Sequence, residues 1–503
     1  MIYPPKKLSV VDRIMKRRKR RRMKINSSHH DLPKIQSRRK GSNHPDTILS
    51  KIDPKATYWY KYYVEFPATH NNDFNKKIRA RFRIPYHAFQ ALLDDIRDCE
   101  IFHQWNRILR KKNKRPIELL VLGSLRYLGR GWVFDDIEEA TGISRETHRQ
   151  FFHKFILYGS TILYSKHVNY PKNSIEAQQH QKEYEVAGMH GAIGSMDACH
   201  VVIEKCSARL KQNHLGGKSK LTCRSYNLTC NHRRKILHTT GGSPARWNDK
   251  TIVLFDKLAL DLQKGRVLND NIFELYQRNV HGEVIKVKYS GAWLLVDNGY
   301  LKWATTIPPI KNTVFYEETR WSEWLESMRK DVECTFGIMK GRWRILKAGV
   351  RLHGVNTCDK IWKTCCAFHN ILLDVDGLSE NWDGELGVFD CDEFSGNMPF
   401  ALARLSNPLA RRQYDSSGMG ARSNITDEYE EDEYPSDNDV SIDRNNEEEM
   451  DAMYDNNMRT VEDDINEVHT LSQEIFQKKL IEHFDILFKK NKIKWPRVNN
   501  LAV

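Results

Sequence analysis

Three acids stand where an acid is costly. Asp197 interrupts the apolar run IGSMDACHVVI, and Asp297 closes the run WLLVD. A carboxylate in a buried strand loses hydration that only hydrogen bonds or a cation can replace. Glu333 belongs to a stretch in which Leu325, Met328, Val332, Phe336 and Met339 recur at helical spacing. It sits at the edge of that stripe, so its carboxylate can point into a cleft between helix and sheet. Arg329 and Lys340, four residues before and seven after Glu333, put positive charge on the same side, where approaching phosphates would meet it. Three converging carboxylates repel one another unless cations join them, and hard oxygen ligands select Mg²⁺ or Mn²⁺. Two such ions about 4 Å apart activate a water or a 3′-hydroxyl and stabilise the leaving oxygen of a phosphodiester. Taken singly, a buried Asp is as often a cap or an ion-pair partner. The order strand Asp, strand-end Asp, helix Glu is more selective.

The elements that must hold these acids are visible around them. GAIGSMDACHVVIEK reads as one strand, and YNLTC and KILHTT, separated by Asn231 to Arg234, read as a hairpin. NDKTIVLFDKLALDLQKG reads as a single helix with Ile252, Phe255, Ala259 and Leu262 on one face and Gly265 as its stop. AWLLVDNG is a buried strand, and a long helix from about Thr319 to Lys340 closes the unit. This order predicts an α/β layer domain over residues 188–375. Ahead of it, residues 58–175 are helical: RFRIPYHAFQALLDDI and RPIELLVLGSLRYLG carry apolar residues at three-to-four spacing, with Pro116 placed to open the second. Within VFDDIEEATGISRETHRQFFHKFI, a short helix at Asp135 to Thr141 meets Gly142, Ile143 tucks inward, and Ser144 is placed to cap a helix with Glu146 in its first turn. That is the layout of a helix-turn-helix. It places Arg145, Thr147, His148 and Arg149 near the start of a recognition helix, within reach of bases or phosphates. The same layout also serves plain packing.

Composition narrows the classes. With 503 residues and 40% apolar content the chain can bury a core. A mean hydropathy of −0.65, with no apolar run near the ~20 residues of a bilayer crossing, predicts no membrane association. The basic N-terminus lacks the apolar stretch of a secretory signal. Ten cysteines without a regular framework predict reduced thiols, and Cys223, Cys230, His232 and His238 fit no standard zinc spacing. The formal net charge of +15 is unevenly spread: residues 1–40 hold fifteen Lys and Arg against Asp12 and Asp31, whereas residues 427–451 hold thirteen acids against Arg444. The rest stays basic, which points to a polyanion, most simply nucleic acid. Residues 1–57 are expected to be a disordered basic arm, whose run Lys16, Arg17, Arg18, Lys19, Arg20, Arg21 and Arg22 serves nuclear import, phosphate binding or both. Residues 376–465 are expected to be an acidic disordered linker. Residues 466–496 carry a helix with Phe476, Leu480, Phe484, Leu487 and Phe488 along one stripe and capping-box spacing at Thr470 and Gln473; it docks either on a partner or on its own core.

The words MDACHVVIEK, YNLTCNHRRKIL, GGSPARWNDKTIV, VDNGYLKWATTIPP and RKDVECTFGIMKGRWRIL, in that order, resemble the successive blocks of a PIF/Harbinger-type DDE transposase, and LRYLGRGWVFDDIEEATGISRETHRQFFHKF and the terminal helix followed by KWP are also similar to that family. The resemblance covers most of residues 80–375 and returns near 470–496. It implies an RNase H-like nuclease fold whose DDE triad falls on Asp197, Asp297 and Glu333, which are 100 and 36 residues apart. It implies two divalent ions, Mg²⁺ or Mn²⁺, in a nuclear enzyme that hydrolyses duplex DNA at transposon ends and joins the 3′-hydroxyl to target DNA. It further implies homo-oligomers and a separate Myb-like DNA-binding partner. Asp249, in WND, matches another recurrent acid of the family and is expected to serve the fold or a secondary site. Cys199 stands where Thr is more usual and Asn298 where a small residue is common; neither change removes a metal ligand. The nearest alternative is a domesticated relative that binds DNA or protein and no longer cuts. A transcription regulator would leave residues 190–370 unexplained.

Overall fold

The computed structural model describes residues 52–106, 115–216, 221–377 and 473–495. The basic run Lys16 to Arg22, the acidic stretch and Thr470 lie outside the described residues.

The N-terminal part is helical, and its chain breaks fall where backbone chemistry sets them. Pro54–Ala56, just ahead of the expected start at residue 58, form a 3-10 turn capped by Asp53. Helix α1 (Asn72–Phe82) is capped by Asn71 and ends at Arg83, whose φ of 67° is left-handed. Pro85 then starts α2 (Tyr86–Asp98). Pro116 precedes α3 (Ile117–Arg130), which is buried along nearly its whole length and stops at Gly131 with φ 70°. Helix α4 (Phe134–Thr141) ends at Gly142, φ 67°, and Ser144 precedes α5 (Arg145–Tyr158). The two helices are therefore joined by the expected three-residue turn, with Ile143 buried. The capping differs in detail: Glu138 takes the Arg145 N–H at 2.7 Å, while the Ser144 hydroxyl bonds to that of Thr147.

After α6 (Ser174–Val186) comes the sheet. Its strands are β1 (Ala192–Val202), β2 (Cys223–Cys230), β3 (Ile236–Thr239), the short β4 (Ser243–Pro244), β7 (Trp293–Leu295) and β8 (Thr306–Ile307). The order is β3-β2-β1-β7-β8, with β4 beside β2. The strands β1, β2 and β3 are antiparallel, whereas β7 and β8 run parallel to β1. The mixed α/β layer read from the sequence is present. On one face Leu325 and Met328 of α9 (Tyr316–Arg342) pack on Trp293 and Leu295. On the other, Ile193, Met196 and Leu294 pack on Val253, Leu258 and Ala259.

Those last three residues correct one expectation. The segment from Asn248 forms two helices, α7 (Asp249–Val253) and α8 (Lys257–Gln263), not one. Asp256 breaks the run because its carboxylate accepts from the Ala259 N–H and starts the second helix afresh. Phe255 therefore leaves the apolar face and stacks on Trp247.

The helical part and the sheet share one continuous core. Phe155 of α5 stacks on Phe368 of α10 (Val355–Val375), and Trp362 donates to Thr239 of β3. The hairpin β5 (Ile272–Arg278) and β6 (Val284–Ser290) stands apart as a two-stranded sheet. Helix α11 (473–489) covers the edge of β5: the Tyr276 N–H donates to His483 and the Arg278 N–H to Glu482, both at 2.8 Å. With Leu480, Ile481 and Phe484 buried against Trp321 and Tyr184, this helix docks on its own core. Among the described residues no helix is long and apolar enough to cross a membrane.

Candidate active site

Strand pairing brings the first two acids together. Ser195 of β1 is in register with Leu295 of β7, and the strands are parallel. Asp197 follows Ser195 by two residues within β1, and Asp297 follows Leu295 by two residues just past the end of β7, so the two acids come close enough for their charges to interact. The Ser195 hydroxyl donates to the Met328 carbonyl at 3.4 Å, which identifies the face of β1 that carries Ser195 as the one beneath α9. Arg329 and Glu333 follow one residue and just over one turn later on this helix. The rotation of α9 is set from its buried side: Asp331, fully inaccessible, meets His232 Nδ1 at 2.5 Å and Arg234 Nε at 3.6 Å from the β2–β3 turn. Leu325, Met328, Val332, Phe336 and Met339 are buried as the sequence stripe predicts.

Arg329 stands between two of the three acids. Its Nη1 donates to Asp197 Oδ2 at 3.0 Å and its Nη2 to Glu333 Oε1 at 2.8 Å. The fixed fork of the guanidinium keeps those two oxygens within roughly 8 Å of each other. Burial disfavours the arginine's charge, yet Asp197, Glu333 and Asp297 outweigh it and hold its pKa above the ordinary value. For Asp197, burial raises the carboxyl to about 6, with Arg329 opposing and Asp297 and Glu333 adding to the rise.

Asp297 is fixed by its own turn, accepting the Gly299 N–H at 2.7 Å. Gly299 also locates a fourth acid. A Cβ on this residue would stand 2.7 Å from Asp249 Oδ2 and 2.9 Å from Asp297 Oδ1, so the two carboxylates meet over a residue that has no room for a side chain. Asp249 is the first residue of α7, whose cap is Asn248. The sequence assigns Asp249 to the fold or a secondary site, and the glycine two residues after Asp297 is the sign of a close approach there. Beneath the acids, buried Tyr300 donates to Asn227 at 2.6 Å and Asn227 to Asp256 at 2.8 Å. Burial drives the Tyr300 hydroxyl well above its ordinary value, and the charges of Asp197, Asp249 and Asp297 push the same way.

Hard carboxylate oxygens suit Mg²⁺ or Mn²⁺, and Arg329 holds positive charge at the point where a bound cation would share Asp197 and Glu333. Among the described residues no group of three His, Cys, Asp or Glu side chains stands close enough to hold a single ion. The side chains gather as pairs: Asp197 beside Asp297, Asp297 beside Asp249, and Asp197 joined to Glu333 through arginine.

The residues expected to touch DNA divide sharply. Thr147 and His148 are buried, so neither side chain lies on the surface where the sequence reading put it. His148 Nε2 is 2.8 Å from the Thr141 hydroxyl, its ring fills the space left by Gly123 of α3, and burial pushes the imidazole down to about 3, so it stays neutral. Arg145 and Arg149 are outside the core, paired with Asp135 and Glu146. Lys340 donates to the His200 carbonyl at 2.9 Å.

Residues 168–379 match the family described as "Plant transposon protein", a span that contains all four acids. The chain is 22% identical over 270 residues to "Protein ALP1-like" of Arabidopsis thaliana, which covers 52% of this chain and 63% of that protein. It is 24% identical over 216 residues to "Putative nuclease HARBI1" of Mus musculus, covering 42% of this chain and 54% of that protein. These matches support a Harbinger transposase-derived nuclease family. The chain spans less than two thirds of the length of either relative. No solved structure matches it.

Proposed function

We propose that this Harbinger-family chain is a metal-dependent DNA endonuclease that cuts phosphodiester bonds at the ends of a PIF/Harbinger-type element and joins the 3′-hydroxyl to target DNA. The reading is supported by Asp197 on β1, Asp297 just past the end of the parallel strand β7, and Arg329 joining Asp197 to Glu333 of α9. The sheet, three antiparallel strands continued by two parallel to the first, supports an RNase H-like nuclease domain. The pair α4–α5 supports a helix-turn-helix unit packed against it.

Asp197, Asp297 and Glu333 would hold two divalent cations, Mg²⁺ or Mn²⁺, which supply activation of the attacking oxygen and stabilisation of the leaving one. The chain's own part is to fix these oxygens. Strand β1 carries the first, the turn after β7 carries the second, and the buried Asp331 contact sets the helix that bears the third. Arg329 and Lys340 meet the phosphates on the same side. Arg145 and Arg149, on the outer face of α5, are the parts of the expected recognition surface that remain available to DNA. Duplex DNA, a homo-oligomeric assembly, a Myb-like accessory protein and a nuclear location belong to this proposal.

The test is Mg²⁺-dependent nicking of DNA that carries the element's ends, comparing the full chain with Asp297→Asn. Cleavage is expected to be lost and DNA binding retained. Equal cleavage by both proteins removes Asp297 from the chemistry, and binding without cleavage by either favours a domesticated, non-cutting protein.

A further inference from the structure

Helix α9 continues past Glu333 with an unusual face. Gly337, Lys340 and Gly341 follow Glu333 at spacings of four, seven and eight residues, so they share one side of the helix. Gly337 is exposed, and among the described residues no atom lies within 4 Å of where a Cβ would stand on either glycine. Glycine inside a helix is destabilising relative to alanine, and packing among the described residues does not call for it at either position. What glycine does provide is close approach of another molecule to the helix backbone.

The bare face leads into a gathering of arginines. Arg344 lies two residues beyond the end of α9, and its N–H donates to the Gly129 carbonyl at the end of α3. Arg130 is the next residue of α3. Burial holds the Arg130 guanidinium below its ordinary value, and the charges of Arg344 and Arg81 add to the effect. Arg126, one turn back on α3, donates to the Arg81 carbonyl at 3.2 Å and stacks on Trp132 at 3.9 Å. Burial, followed by the charges of Arg130 and Arg81, pushes it down to about 10. Three chain segments that are distant in sequence thus converge their cations closely enough to repel one another. Such convergence is favourable when a polyanion is the partner.

We propose that the exposed face of α9 from Glu333 to Gly341, continued by Arg344, Arg130 and Arg81, carries a strand of duplex DNA by its phosphates away from the catalytic carboxylates. The inference rests on the nuclease reading for the direction of the strand. From Glu333 to Gly341 the helix rises about 12 Å, a span of three to four nucleotide steps at about 3.4 Å each. Lys340 stands near its far end, one residue before Gly341, and the glycines leave room for the sugar-phosphate chain.

Duplex DNA affinity of the full chain, measured against salt concentration, tests the surface. The Gly337→Gln variant restores a better helix former into open space, so its melting temperature should not fall. It should nevertheless bind DNA at least about tenfold more weakly, because the side chain displaces the strand from its phosphate contacts. The double variant Arg130→Gln/Arg344→Gln should lower the slope of log affinity against log salt by about 2. Wild-type affinity in Gly337→Gln, or an unchanged slope in the double variant, overturns the proposal. Weakened binding in these variants combined with undiminished cleavage by Asp297→Asn would leave the surface standing while the nuclease assignment fell.

Discussion

Replacing Asp197 by Asn should stabilise the protein near neutral pH while it destroys cleavage. Burial is the main cause of the raised pKa of Asp197, which goes from 3.8 to about 6. Two units correspond to roughly 3 kcal/mol at 1.36 kcal/mol per unit. The side chain is only 20% exposed, so solvent screening reduces the figure little. The sign follows from linkage. The folded carboxyl holds its proton more tightly than the unfolded one, so its favourable contribution is complete below the unfolded pKa and is lost as pH rises through about 6. Above that point wild-type Asp197 bears the whole cost of ionising in a buried place. Asparagine never ionises. The stability difference between variant and wild type should therefore be near zero at about pH 4 and grow to at most roughly 3 kcal/mol at about pH 7.5. Arg329 loses one partner in the variant, which brings the gain below that ceiling. Urea unfolding of both proteins in chelator across this range measures the difference. Adding Mg²⁺ should then stabilise wild type more than the variant, because only the carboxylate offers a ligand. A variant less stable than wild type by the same amount at both ends of the range would refute the reasoning and make Asp197 a structural partner of Arg329.

Arg329 and a divalent cation compete for Asp197 Oδ2 and Glu333 Oε1. Arg329→Gln should therefore bind Mn²⁺ about tenfold more tightly, a change of about 1.4 kcal/mol, while its DNA affinity falls; Mn²⁺ titration followed by electron paramagnetic resonance reads the first effect, and unchanged Mn²⁺ affinity counts against competition. Asp249→Asn, beside Asp297 over Gly299, should cost roughly 10- to 100-fold in metal affinity or cleavage, as loss of a supporting partner does. Full activity in that variant would reduce Asp249 to a favourable charge at the start of α7.

The acids were legible because each breaks a local rule inside a single segment. A charge in MDACHVV or at the end of WLLVD needs no tertiary knowledge to look costly, and the strands around both formed as their apolar runs predict. The burial of Thr147 and His148 was legible too, though not read. His148 lies four and seven residues before Phe152 and Phe155, and Thr147 four before Phe151, so both belong to the apolar stripe of α5. Arg145 and Arg149 fall on the other side. The break between α7 and α8 was hidden for a different reason: Asp256 continues a helical pattern as well as it caps a new helix, and only its contacts with Ala259 and Asn227 decide between them.

The arginine surface could not have been read from any one segment. Arg81, Arg126, Arg130 and Arg344 are scattered over more than 260 residues, and each taken alone is an ordinary cation near the end of a helix, where the dipole favours it. What joins them is the carbonyl of Gly129, which accepts from both Arg83 and the Arg344 N–H and so pulls the end of α9 against the ends of α1 and α3. The same junction extends the shared core from the helical part to the sheet. It follows that the helical part does more than add its own helices to the core. By fixing where α9 ends, it fixes where the end of that helix meets the arginines of α1 and α3. A substitution at Gly129, where a Cβ would stand 2.6 Å from the Arg83 side chain, should therefore disturb DNA binding more than it disturbs the carboxylates.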